Sequence, residues 1–195
     1  YLSPDTKALV VTHLYGQMCD MNLLVSFCKE NRLFLIEDCA QALGSSFEGM
    51  PAGSFGDIST FSFYPTKNLA SIGDAGAIAT RHSELALKID ALRQYGWTTR
   101  YSIDVSGGSN YRMDEIHALC VTAGFDVLGE QVEKRRSIFN HYNSILTKYG
   151  SRLLASDHGD MAPHLAVLRD KNRQNFISFF SNYAVETAIH YPIAD

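Results

Sequence analysis

The chain has 195 residues, 46% hydrophobic and 19% charged, with a formal net charge of -4. Those values fit one soluble globular domain, or one domain plus part of another, and leave no general basic footprint for nucleic acid. No apolar run is long enough to cross a bilayer, and no basic-then-apolar signal opens the chain.

Tyr1 stands where an initiator methionine is usual, and Ala8-Leu9-Val10-Val11 is already a core-type strand. Together with the stop just after Tyr191-Pro192, this suggests a sequence cut from something longer at both ends. Ala8 to Thr12 reads as a short buried strand, followed by a loop through Gly16. Apolar residues at 21, 24, 25 and 28 mark one face of a helix over Met21 to Asn31, with Asp20 placed to cap its first turn. Leu33 to Ile36 is the next strand. Strand, helix, strand is a βαβ unit, whose strands run parallel.

Ser45 to Gly56, rich in Gly and carrying Pro51, reads as a loop or short hairpin. Ile58 to Phe63 and Gly76 to Thr80 are two further strands, and Glu84 to Tyr95 is a helix with Ser83 as its cap. Two helices are expected over Asp114 to Val127 and Glu130 to Tyr149, the second ended by Gly150. Leu165 to Leu168 reads as a strand, Arg173 to Asn182 as a helix, and Val185 to His190 as a strand. The pattern divides near residue 150 into an α/β part, 1–150, and a partial α+β part, 151–195.

Cys19, Cys28, Cys39 and Cys120 form no CxxC pair, and the seven histidines form no HExxH or paired His/Cys spacing, so no metal centre is expected. Cys28 and Cys39 lie in apolar patterns and read as reduced, buried thiols of a cytoplasmic protein.

The residues that can carry chemistry cluster at strand ends. Asp38 follows Leu33-Phe34-Leu35-Ile36-Glu37, and ligands of open α/β sheets sit off the carboxyl ends of strands. A carboxylate there can hold a protonated pyridine nitrogen, though a helix cap or surface charge is the plainer reading. Lys67 closes Phe61-Ser62-Phe63-Tyr64-Pro65-Thr66-Lys67. A partly desolvated lysine is a better nucleophile and can form a Schiff base with an aldehyde; an exposed loop lysine is the ordinary alternative. A covalent anchor plus a partner for the ring nitrogen is what a pyridoxal-phosphate enzyme asks of its protein. Gln41 can orient such a ring, Ser62 can bind its phosphate, and Asn110 and Arg112 can reach phosphate, or each can be a turn or capping residue. His13 and His190 flank strands and can take a site role, and Trp97 and Tyr101 can line or cover a pocket.

Taken together, several segments resemble the DegT/DnrJ/StrS family of sugar aminotransferases. They are Val11-Thr12-His13-Leu14-Tyr15-Gly16, Ile36-Glu37-Asp38-Cys39-Ala40-Gln41-Ala42-Leu43-Gly44, Gly53-Ser54-Phe55-Gly56-Asp57, Thr60 to Leu69, Gly73 to Thr80, Gln94-Tyr95-Gly96-Trp97, Ser109 to Ile116 and His190-Tyr191-Pro192. The resemblance implies a fold-type I pyridoxal-phosphate enzyme, with a large domain built on a mostly parallel sheet and part of a small α+β domain. Lys67 would be the Schiff-base lysine and proton shuttle, Asp38 the partner of the pyridinium nitrogen, Gln41 a contact of the ring's phenolic oxygen and Ser62 a phosphate ligand. Asn110 would reach the phosphate of the neighbouring subunit's cofactor in a homodimer. The implied reaction moves an amino group from an amino acid, usually glutamate, to a nucleotide-linked keto-sugar. The resemblance also implies an amino-terminal segment and a carboxyl-terminal end that this sequence lacks, and Gly124 is expected to weaken its helix. The alternative expectation is therefore a truncated, non-catalytic paralogue that only dimerises or binds a partner.

Overall fold

The computed structural model describes residues 2–193. Four strands form the central sheet: β1 (Ala8–Thr12), β2 (Phe34–Asp38), β5 (Ile58–Ser62) and β6 (Gly76–Thr80), in the order β1-β2-β5-β6. The first three run parallel and β6 closes the edge antiparallel to β5, so the sheet is mixed and mostly parallel. Helix α1 (Met21–Asn31) crosses between β1 and β2, as the βαβ pattern requires. Asp20 caps it, with Oδ1 accepting from the Leu23 backbone N–H at 3.0 Å. Met21 and Cys28 are buried beneath this helix, but Val25, expected on the same face, is exposed. The short hairpin β3 (Ser46–Phe47) and β4 (Met50–Pro51) follows β2.

Alternation along the strands separates two sheet faces. Val11, Leu35 and Glu37 point to one face, where Met18, Met21, Cys28 and Cys39 complete the main core. Val10, Phe34 and Ile78 lie on the other face and are exposed. Register places Thr12, Asp38, Thr60 and Ile78 side by side on that open face.

After β6, α2 (Ser83–Leu92) begins one residue earlier than expected, and His82 rather than Ser83 is its N-cap, without a side-chain capping bond. A hairpin not foreseen in the sequence, β7 (Trp97–Thr99) and β8 (Ser102–Ile103), gathers Tyr95, Trp97 and Tyr101 into one aromatic group. The two helices expected over 114–149 are one helix, α3 (Glu115–Lys148), of 34 residues. The expected gap at 128–129 stays helical, with Gly129 in open space, and Gly124, expected to weaken the helix, lets α3 approach Leu69 after β5: a Cβ there would lie 2.5 Å from Leu69 Cδ1. Leu69 packs with Phe63 and Val121 in a second core between α3 and the segment after β5.

Beyond α3, Leu165–Leu168 makes a single bridge, Leu153 to Leu168, instead of a strand. Helix α4 (Arg173–Asn182) forms as expected. Residues 185–190 are exposed and form no strand; among the described residues no neighbouring strand offers the hydrogen bonds that would hold one.

Candidate active site

The open sheet face and the loops off its carboxyl edge hold most of the residues singled out in the sequence. Asp38 is the last residue of β2, paired in register with Thr12 and Thr60. Its Oδ1 accepts from the Ala40 N–H at 3.0 Å, and its carbonyl accepts from the His13 N–H at 3.0 Å. Ser62 ends β5 two residues beyond Thr60, so it shares the Asp38 face; its Oγ accepts from the Tyr64 N–H at 3.3 Å.

Lys67 lies in the turn after β5, half-buried, with its N–H on the Tyr64 carbonyl at 2.8 Å. Burial lowers the pKa of its amine, and the charge of Asp38 opposes that shift. The two side chains therefore feel one another, yet no ion pair joins them among the described residues.

Gln41 is held at both ends. Its Oε1 accepts from the Tyr15 N–H at 2.7 Å and its Nε2 donates to Tyr191 Oη at 2.8 Å. Tyr15 is buried with φ at 63°, a left-handed conformation uncommon for a side chain of this size. Asn110 stands apart from this group: it is exposed, and its Oδ1 accepts from the backbone N–H and Nε of Arg112 at 3.3 and 3.1 Å.

Several site residues were not singled out in the sequence. Asn68, beside Lys67, donates from Nδ2 to the carbonyls of Leu43 and Ala162 at 3.4 and 3.2 Å, while its Oδ1 is buried and unpaired among the described residues. Residues 160–164 run as a strap across the site. Ser45 Oγ donates to the Gly16 carbonyl at 2.7 Å and accepts from the Ala162 N–H at 3.0 Å. The His164 N–H donates to the Tyr15 carbonyl at 3.0 Å. Burial, then the charges of Lys67, Arg135 and His190, push the His164 pKa down to about 4. No spacing rule points to these residues, because their roles depend on where residues 151–168 fold back.

Glu37 carried a sequence signal that was passed over: a charge at an inward-facing strand position demands partners. It is fully buried against His13, with His13 Nε2 3.0 Å from Glu37 Oε2. His13, Glu37 and Cys39 bring ligand-type atoms within 4.8 Å of one another, but the backbone N–H groups of Gly53, Phe55 and Gly56 already surround the carboxylate. A carboxylate saturated by N–H donors offers a cation no free lone pair.

The model of the DegT/DnrJ/EryC1/StrS aminotransferase family matches residues 1–195. The chain belongs to this family. Among its relatives, the dTDP-3-amino-3,6-dideoxy-alpha-D-galactopyranose transaminase of Aneurinibacillus thermoaerophilus is 40% identical over 193 residues, covering 98% of this chain and 53% of that protein. The solved structure of DesV from S. venezuelae superposes with a TM-score of 0.93 at 34% identity, over 98% of this chain and 52% of that one. NtdA from Bacillus subtilis, solved with bound cofactor PMP, superposes with a TM-score of 0.87 at 28% identity, over 98% of this chain and 45% of that one. The chain spans about half the length of the curated relatives it matches.

Proposed function

We propose that this chain carries the catalytic core of a pyridoxal-phosphate-dependent aminotransferase that moves an amino group from an amino acid, glutamate in the first instance, to a nucleotide-linked keto-sugar. The observation that carries this reading is the half-buried amine of Lys67 within the electrostatic reach of Asp38, at the carboxyl ends of β5 and β2. The residues present fit the cofactor. A carboxylate on an open sheet face lies within the electrostatic reach of a partly desolvated amine, and the neighbouring Asn68 Oδ1 is buried with no partner among the described residues.

Once bound, the cofactor supplies an electron sink that lets a bond at the amino donor's α-carbon break. Asp38 would hold a proton on the ring nitrogen and so keep that sink positively charged. Lys67 would anchor the group through its amine and would move a proton at the reacting carbon; its lowered pKa suits both tasks. Gln41, fixed by Tyr15 and Tyr191, orients the ring, and Ser62 binds the phosphate. Asn110, exposed and away from the Lys67 group, fits contact with a neighbouring subunit's cofactor in a homodimer. A partial large domain over 1–150, a partial small domain over 151–195 and a cytoplasmic location belong to the same proposal. The exposed Val10, Phe34 and Ile78 support a working enzyme with more polypeptide over this sheet face.

Titrating the purified protein with pyridoxal phosphate tests the reading. A visible absorption band should appear, lose its amplitude on adding glutamate, and be absent from Lys67→Ala. A folded wild-type protein that gives no band, or a Lys67→Ala variant that gives the same one, refutes it.

A further inference from the structure

The most heavily bonded side chain in the described structure is one the proposed chemistry does not use. Glu37 is fully buried and sits next to Asp38, pointing to the opposite face of the sheet. Oε1 accepts from the N–H groups of Phe55 at 2.8 Å and Gly56 at 2.6 Å, and Oε2 from Gly53 N–H at 3.0 Å and His13 Nε2 at 3.0 Å. The Gly53–Gly56 loop leads into β5, and Asp57 continues the tie: its N–H donates to the Leu35 carbonyl at 2.8 Å and its Oδ2 accepts from the Leu35 N–H at 2.8 Å. The end of β2 is therefore held from the β5 side through Glu37.

His13 holds it from the β1 side. The residue is fully buried directly after β1. Its ring reaches the Glu37 carboxylate, and its backbone N–H donates to the Asp38 carbonyl at 3.0 Å. Two residues on, Tyr15 takes up its left-handed conformation and presents its N–H to Gln41. One residue thus touches both members of the Glu37–Asp38 pair and begins the turn that fixes Gln41.

The ring is bonded on both sides: the Cys19 backbone N–H points at Nδ1 from 3.3 Å, and Nε2 lies 3.0 Å from Glu37 Oε2. Burial on its own lowers the His13 pKa, while contacts with Cys19 and Glu37 outweigh it and raise it to about 9. Burial also works against the Glu37 carboxylate, but the bonds from His13, Gly56, Gly53 and Phe55 prevail and hold it below the usual carboxylate range.

We propose that the buried His13–Glu37 pair is a positioning device for Asp38 and Gln41, clamping the carboxyl end of β2 between β1 and the Gly53–Gly56 loop so that both side chains meet the cofactor ring in fixed geometry. The inference rests on the reading of Asp38 as the ring-nitrogen partner. A core of similar volume built from apolar residues would be at least as stable as a buried charge with its partners. What such residues would not supply is the set of directional bonds that fixes one arrangement of the strand end. His13 and Glu37 need no contact with substrate; they act through the backbone of residues 37–41.

The test uses His13→Leu, which removes the donor, and His13→Gln, which keeps a neutral side-chain donor. Two readouts are taken on each: hydrogen–deuterium exchange of residues 38–42 in the cofactor-free protein, and the Kd for pyridoxal phosphate from its absorption band. His13→Leu should speed exchange at 38–42 and weaken cofactor binding by about tenfold or more each, the equivalent of one lost hydrogen bond to a buried charge. Exchange in α3 should stay unchanged, and His13→Gln should stay within about threefold of wild type. A folded His13→Leu protein with wild-type exchange at 38–42 and wild-type Kd overturns the inference. So does a folded His13→Gln protein that loses cofactor without faster exchange at 38–42, and that variant decides the question if His13→Leu does not fold. The exchange arm needs no cofactor. A wild type that binds none would refute the proposed function, whereas unchanged exchange would refute the clamp.

Discussion

Gly124 offers a sharp test of how the Lys67 turn is held. In an exposed helix interior, Gly→Ala stabilises by about 1 kcal/mol. Here the added Cβ would stand 2.5 Å from Leu69 Cδ1, where carbon contacts need roughly 3.5–4 Å, so Leu69 must retreat by roughly an ångström. Leu69 is 3% exposed and wedged with Phe63 and Val121, leaving it little room. Overpacking of this kind costs about 1–3 kcal/mol, so Gly124→Ala should destabilise by ~1 kcal/mol net, against the sign that helix propensity gives. Leu69→Ala leaves a cavity and should cost ~3 kcal/mol. In the double variant the new methyl enters the space that Leu69 vacated and keeps the helix gain, so the total should be ~2 kcal/mol rather than the additive ~4. Urea unfolding at 25 °C, with ΔG extrapolated to water, measures all four corners of the cycle. Additivity within about 0.5 kcal/mol, or a stabilised Gly124→Ala single variant, would refute the claim that glycine at 124 makes room for Leu69.

Two further outcomes are expected. Ser45→Ala removes the hydroxyl between the Gly16 carbonyl and the Ala162 N–H and strands that buried N–H, so the protein should lose about 1–3 kcal/mol in the same urea assay, with faster exchange at residues 160–164. His164 predicts acid sensitivity: its folded pKa of about 4 lies below the ordinary 6.5, so the unfolded chain binds the extra proton. Its contribution is therefore whole above pH 6.5 and drains away as the pH falls towards 4, and His164→Gln should flatten the fall in melting temperature across that window. An unchanged slope in His164→Gln would contradict that.

The parts of the fold that could be read from sequence are those decided by local pattern. β1, α1, the core of β2, β5, β6 and α4 all show it: periodicity, the Asp20 cap and short apolar runs act within a few residues. The failures come where a distant neighbour decides. Gly124 looks like a weak point of its helix until Leu69, 55 positions earlier, fills the space a side chain would need. Leu165–Leu168 and 185–190 have strand-like composition but lack the flanking strands that would complete their hydrogen bonds.

The site divides along the same line. Asp38, Ser62 and Lys67 follow strand ends, and strand ends are legible, so their convergence on one edge follows once β2 and β5 are known to be adjacent and parallel. Asn68, Ser45 and His164 are joined only because residues 160–164 return across the loops after β1, β2 and β5, and a return of 94 residues or more leaves no local trace. Glu37 lies between these cases. Strand parity puts Leu35 and Glu37 on the same inward face, so a charge at 37 already implies a buried partner set before any coordinates are seen. The one-residue step from Glu37 to Asp38 then turns a buried, fully bonded carboxylate into a neighbour that faces the opposite way, with the Ala40 N–H on its Oδ1. A strand end that must present a carboxylate in one fixed orientation is best held through the residue whose side chain points away from it.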